Sequence, residues 1–251
     1  MRLTDRRSLL VGAATGIGRA TAQAFAAEGA RIVIADRNDE AGASLTHQLR
    51  SSGTSCEFVH VDVTDEIQVR TMADRTVEIF GGALDVFCNF AGVQYSGVVE
   101  DFTLGRWDAI FATNVRSQFL ITKYTVPALR LGNNPTIVNM ASIAGRRGGP
   151  GMTAYSASKG AVIAFARALA NELAPTIRVN TVSPGWVDTP FNKAAIDFMQ
   201  GPEYLEMFVR DHVPLARQGE PQEIAPLFVY LSSEESAYVT GQNVVIDGGL
   251  L

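Results

Sequence analysis

Cysteine and histidine are scarce in this chain, two and three respectively in 251 residues. Cys56 and Cys88 both lie in apolar, strand-like runs and read as small core side chains in a reducing compartment rather than as a cross-link. His47, His60 and His212 stand on separate segments with no acidic or thiol partner at ligand spacing, so no metal is expected. Basic charge is also short: 21 Lys and Arg against 26 Asp and Glu leave a formal net charge of -5. That balance gives nucleic acid or an anionic membrane no general face to dock on. Charges such as Arg19, Glu28 and Arg167 interrupt every apolar stretch short of the ~18 residues a membrane span needs. The expectation is a soluble, cytoplasmic protein acting on small molecules. Asp5-Arg6-Arg7-Ser8-Leu9-Leu10 is faintly like a twin-arginine export signal, but Gly16, Gly18 and Arg19 break its apolar run. Removing it would also delete what reads as the first core strand.

Hydrophobic residues are plentiful, at 47%, enough for a sizeable core. Strand-length apolar runs recur at residues 8–12, 31–36, 56–62, 85–89, 136–141, 177–183 and 243–247. Most are apolar on both faces, as parallel strands covered by helices on each side must be. Helical patterns fall between them at 16–28, 66–80, 106–129 and 155–173. No linker or repeat interrupts the alternation. The expectation is one doubly wound α/β domain of Rossmann type over residues 1–251, with a seven-stranded, mainly parallel sheet in the order 3-2-1-4-5-6-7. Only residues 191–214 break the rhythm; their Phe191, Ile196, Phe198, Met199, Tyr204, Leu205, Met207 and Phe208 at loosely helical spacing predict a lid.

The first strand leads into Gly12-Ala13-Ala14-Thr15-Gly16-Ile17-Gly18 and then a helix. Glycines permit a tight turn and close backbone approach, which aims the helix N-terminal amides at a pyrophosphate. The second strand ends in Asp36, 18 residues after Gly18, near the spacing of a ribose-binding carboxylate. Asp36 accepts hydrogen bonds from a ribose 2'-hydroxyl and repels a 2'-phosphate, so NAD is favoured over NADP. Arg37 beside it is either a counter-charge for that phosphate or a solvated loop residue. Asp62 and Val63 follow the third strand, and Asn89, Ala91 and Gly92 the fourth, where ligands of open α/β sheets bind. Asp62 is placed to meet the adenine amino group or to cap the next helix. Ala91 and Gly92 let backbone lie against a ribose or simply make a turn.

Tyr155 and Lys159 stand at i and i+4 in a helical run and so share a face. A phenol ordinarily titrates near pH ~10, so acid/base work at neutral pH requires its phenolate to be stabilised by about 4 kcal/mol. An ammonium one turn away, with a positive nicotinamide ring nearby, is the expected cause. Ser142, 13 residues before Tyr155, can hydrogen-bond the reacting oxygen. Asn114 can hold a water beside Lys159, or be an ordinary polar helix residue.

With the glycine motif, these residues identify the chain as resembling the short-chain dehydrogenase/reductase family over essentially its full length. The resemblance implies a nicotinamide-dependent alcohol dehydrogenase or carbonyl reductase with Asn114, Ser142, Tyr155 and Lys159 as catalytic set. It further implies that Pro184-Gly185-Trp186-Val187-Asp188-Thr189 brings Val187 and Thr189 to the nicotinamide carboxamide. Lys159 would also bind the nicotinamide ribose, and four copies would assemble through helices 106–129 and 155–173 with contacts near the C-terminus. Two positions depart from the family pattern: Val11 stands where Thr is frequent, and Phe90 replaces the second Asn of Asn-Asn-Ala-Gly. Substrate-pocket candidates are Gln94, Tyr95, Arg146, Met152, Trp186 and Phe191, with Arg146 and Arg147 either an anion clamp or a solvated or interface loop. A carrier-protein ketoacyl reductase would carry a basic residue near the end of the Tyr-Lys helix, where Ala174-Pro175-Thr176-Ile177 has none. That absence, with Asp36, points to oxidation of a sugar, polyol, cyclic alcohol or hydroxy acid. An NADPH-dependent ketoacyl-type reductase and a nicotinamide-binding sensor without turnover are the alternatives.

Overall fold

The computed structural model describes residues 1–251. Seven strands, β1 (Arg7–Val11), β2 (Arg31–Asp36), β3 (Cys56–His60), β4 (Val86–Asn89), β5 (Thr136–Met140), β6 (Arg178–Pro184) and β7 (Asn243–Ile246), form one sheet in the order β3-β2-β1-β4-β5-β6-β7. Every pairing is parallel, as the two-sided apolar runs predict. Successive residues of β1 serve opposite layers: Leu9 packs with Val33, Phe87, Ile137 and Val179 on one face, Leu10 with Ile34, Cys88, Val138 and Val182 on the other. Helices α3 (Glu66–Phe80), α5 (Ser117–Leu129) and α7 (Thr153–Leu173), the last preceded by the single-turn α6 (Ala144–Arg147), cover the first face. Helices α1 (Gly16–Ala27), α2 (Asp39–Ser51) and α10 (Pro221–Ser232) cover the second, where Phe25 and Phe228 are fully buried.

Two of these helices lie outside the helical patterns expected at 16–28, 66–80, 106–129 and 155–173. Helix α2 buries Gly42, Leu45, Thr46 and Leu49, an i, i+3, i+4, i+7 stripe in which only the two leucines are large and apolar, and a Cβ on Gly42 would run into the Phe58 ring. Helix α10 carries Pro226 inside it, which masks the pattern although Pro221 and the Glu220–Glu223 capping box mark its start. The run expected as one helix over 106–129 is instead α4 (Leu104–Phe111), a π turn over Ala112–Arg116, and α5. The segment over 191–214 holds a 3-10 turn (Pro190–Asn192), α8 (Lys193–Phe198) and α9 (Pro202–His212). There Leu205, Val209 and Val213 make a small core of their own with Trp186 and Leu250.

Arg6 and Arg7 are fastened into the sheet. The Arg7 guanidinium and amide donate to the Asp85 carboxylate at 2.7 to 2.9 Å, and Arg6 donates to the Asn134 carbonyl at 2.8 Å. No helix is long and apolar enough to cross a membrane.

Candidate active site

Beyond the carboxyl ends of the strands lies a cavity of about 990 Å³, at the upper end of small-molecule sites. Its floor at one end is the turn from β1 into α1. Gly12 adopts φ +72° and packs so tightly that a Cβ would come 2.5 Å from the Ala91 nitrogen, which joins the first and fourth strand ends. Thr15 caps α1 without a side-chain hydrogen bond, and no acidic residue occupies the first turn. The helix therefore directs amides and dipole at the cavity without an internal anion to satisfy them. Gly16, Ile17 and Gly18 line the wall there.

Asp36 is held at the end of β2 by Ala14 N–H and Asn38 N–H, each 3.0 Å from its carboxylate. A carboxylate accepts about four hydrogen bonds, so acceptor capacity remains for a ligand in the cavity it lines. Arg37, Val63, Ala91 and Gly92 line the same stretch. So does Asp62, whose acid the Thr64 amide and hydroxyl hold below the usual carboxylate range. For a dinucleotide the residues fit: an uncapped helix N-terminus, close-packed glycines and a ribose-ready carboxylate follow one another along one wall.

At the other end α7 presents Tyr155 and Lys159, 6% and 2% exposed. The Lys159 ammonium donates to the Met140 carbonyl at 2.9 Å and sits 5.8 Å from the Tyr155 ring centre. Ser142, just beyond β5, accepts from Ala144 N–H at 3.1 Å and neighbours the phenol, which it holds down in part. Burial raises the Tyr155 phenol above its ordinary value and pushes Lys159 down to about 8, so the ammonium alone does not make the phenol acidic. Desolvation is the main cause at both groups and disfavours both charged forms.

Asn114 lies in the π turn, fully buried. Its amide accepts from Val93 N–H at 2.8 Å and donates to the Val93 carbonyl and the Ser158 hydroxyl, each at 3.0 Å. It thus fixes the 91–95 loop behind the cavity wall. Gly92 lies between them, where a Cβ would be in ordinary contact, 3.4 Å from the Asn114 amide oxygen and 3.6 Å from Lys159 Nζ. Gln94, Tyr95, Met152, Trp186 and Phe191 all line the cavity, as do Pro184, Gly185, Val187 and Thr189. Besides Asn114, two residues do not. Asn89 is fully buried in β4 and accepts from Ala91 N–H at 3.0 Å, shaping the loop from below. Arg146 faces a separate cleft with Arg167, leaving Arg147 at this rim. The sequence reading missed Ile143, Pro150 and Leu250 on the wall. Leu250 gave no local signal because the Gly248 and Gly249 turn folds it back onto α9 from the far end of the chain.

Residues 12–251 match a protein-family model described as enoyl-(acyl carrier protein) reductase. The chain is 37% identical over 249 residues to the cyclopentanol dehydrogenase of Comamonas testosteroni, covering 99% of this chain and 98% of that one. It is 36% identical over 252 residues to the 3-oxoacyl-[acyl-carrier-protein] reductase FabG of Thermotoga maritima, covering all of both. Among solved structures, a gluconate 5-dehydrogenase from Burkholderia cenocepacia J2315 in complex with NADP and tartrate superposes with a TM-score of 0.92 at 30% identity, covering 99% and 96% of the two chains. A parallel 3-2-1-4-5-6-7 sheet, a glycine-lined cavity at its carboxyl edge and full-length relatives of this kind make the chain a member of the short-chain dehydrogenase/reductase family.

Proposed function

We propose that the protein uses NAD to oxidise a secondary alcohol, or to reduce the matching ketone, with Tyr155 as the proton-transferring group. The observation that carries the reading is the meeting of Tyr155, Ser142 and Lys159 in the same cavity as Asp36 and the uncapped end of α1. When bound, a nicotinamide supplies the two-electron chemistry and, in its oxidised form, a positive charge. That charge is the complement the buried phenol lacks in the protein alone. Tyr155 takes the proton of the substrate hydroxyl, Ser142 hydrogen-bonds the reacting oxygen, and Lys159 holds a ribose and favours the phenolate. Asn114 keeps the loop that carries Gly92 in place.

Asp36 supports NAD over NADP, because two backbone amides orient its charge where a 2'-phosphate would have to sit. Arg37 lines the same wall and is the group through which NADP, the ligand of the gluconate dehydrogenase structure, would be tolerated. Asp36→Ala is expected to weaken NAD and improve NADP in steady-state kinetics; an unchanged preference overturns the assignment. The FabG relative supports a second reading, an NADPH-dependent ketoacyl reductase, against which stands the absence of a basic residue over 174–177. The decisive screen offers secondary alcohols and a ketoacyl thioester with each cofactor and follows reduced-cofactor absorbance. Binding without turnover throughout would favour a sensor.

The same reading makes residues 1–251 one catalytic domain in a cytoplasmic homotetramer, with 191–214 closing over bound substrate. Leu104, Trp107 and Phe119, exposed on α4 and α5, support an interface there.

A further inference from the structure

We infer that the substrate is an apolar, ring-bearing secondary alcohol or its ketone, not a polyol, sugar acid or short hydroxy acid. The inference rests on the alcohol–ketone reading above and narrows it.

Five charged side chains line the cavity: Asp36, Arg37, Asp62, Lys159 and Arg147. The first three belong to the dinucleotide wall, and Lys159 is tied to the Met140 carbonyl. Arg147 alone remains at the substrate end, and it is exposed at the rim, where solvent screens a single guanidinium. The neighbour that would complete a clamp, Arg146, faces the other cleft. A carboxylate substrate therefore finds one screened cation and no pair.

The walls around the reacting groups are hydrocarbon. Phe191 lies 6.0 Å from the Tyr155 ring, centre to centre, and Trp186 meets Phe208 edge-on at 6.5 Å. Met152, Phe198 and Leu250 complete the enclosure. The loop over 148–151 is built to let them in. Gly151, at φ +71°, stands where a Cβ would collide with the Phe198 ring, and a Cβ on Gly149 would lie 2.7 Å from the Met152 methyl. Of the polar groups beside them, the Asn192 amide donates to the Val187 carbonyl at 2.6 Å and the Gln94 amide faces Met152 sulfur, while Tyr95 and Tyr204 are exposed at the outer wall. An extra hydroxyl of a polyol held against Phe191, Trp186 and Met152 would be desolvated without a partner, whereas a ring gains from the same surface. Ser142 and Tyr155 suffice for the single oxygen that reacts. In balance, the alcohol carbon would give a hydride to the oxidised nicotinamide and its hydroxyl a proton to the Tyr155 phenolate, leaving ketone, neutral phenol and reduced cofactor.

The test is steady-state kinetics of the full chain with saturating cofactor on cyclohexanol, 1-phenylethanol, sorbitol, gluconate and lactate. The expected result is a kcat/KM for one of the ring alcohols at least about tenfold above the other three classes. Phe198→Ser should raise the KM for that alcohol about tenfold with kcat within about twofold, because a wall contact binds ground and transition states alike. Phe198→Leu should restore it, and the cofactor KM should not move. Preference for sorbitol, gluconate or lactate overturns this inference and leaves the alcohol–ketone reading standing. A fall in kcat at constant KM in Phe198→Ser also overturns it. No turnover of any alcohol with either cofactor overturns the underlying reading as well.

Discussion

A buried ammonium opposes folding, and at Lys159 beside the buried Tyr155 phenol that opposition is placed where it is chemically useful. Tyr155 is neutral at ordinary pH, and burial raises it further. On the proposed reading its phenolate would form only once oxidised cofactor brings a positive charge into the cavity. Tyr155→Phe is expected to leave cofactor affinity within a few fold and to lower turnover by on the order of a thousandfold or more; near-normal turnover would remove Tyr155 from its role. Lys159, pushed down to about 8 from 10.5, binds its proton less tightly in the fold than in the unfolded chain. Below pH ~8 the fold bears the full penalty of the buried charge. Between about 8 and 10 the unfolded chain holds more protons, so wild-type stability rises with pH. Lys159→Met should therefore be inactive yet more stable at pH ~7 by about 2 kcal/mol, after discounting the lost bond to the Met140 carbonyl. Denaturant unfolding across this range checks it, and a difference that does not narrow towards pH ~10 sinks it.

Among the elements, the π turn between α4 and α5 does what a regular helix would not. Its widened register sets Asn114 inward, where one amide satisfies both backbone groups of Val93. Asn114→Ala leaves a buried donor and acceptor unpaired and should cost about 2 to 4 kcal/mol in chemical denaturation. It should also loosen the loop carrying Gly92, seen as faster amide hydrogen exchange over 91–95. Unchanged stability would mean the loop is held by other contacts. The element scale also shows why sequence reading stopped where it did. Continuous apolar runs such as Arg31–Asp36 announce buried parallel strands, and the Gly12 to Gly18 run announces its turn. A π turn has no period of its own, and the 106–129 pattern reads through it as one helix. Asn89 and Asn114 were legible as polar residues in the right places, but not as loop scaffolds, because their partners are backbone groups that carry no residue identity.

For the molecule as a whole, one sheet lines up six strand ends so that groups from opposite ends of the chain share a cavity. The assembly built on it is expected to be a tetramer, with a light-scattering mass four times the 26.9 kDa of one chain; a monomeric mass contradicts it. The amino-acid sequence alone determined that the strands are buried on both faces, that a glycine turn follows the first of them, and that Tyr155 and Lys159 share a helix face, because two-sided burial, glycine turns and i to i+4 spacing are local constraints written in neighbouring residues. Tertiary structure alone decided that Arg146 turns away while Arg147 stays, that Leu250 closes the far wall, and that Tyr155 and Lys159 are almost completely buried. Those outcomes depend on which distant surfaces meet and how completely water leaves between them, and no local spacing encodes either.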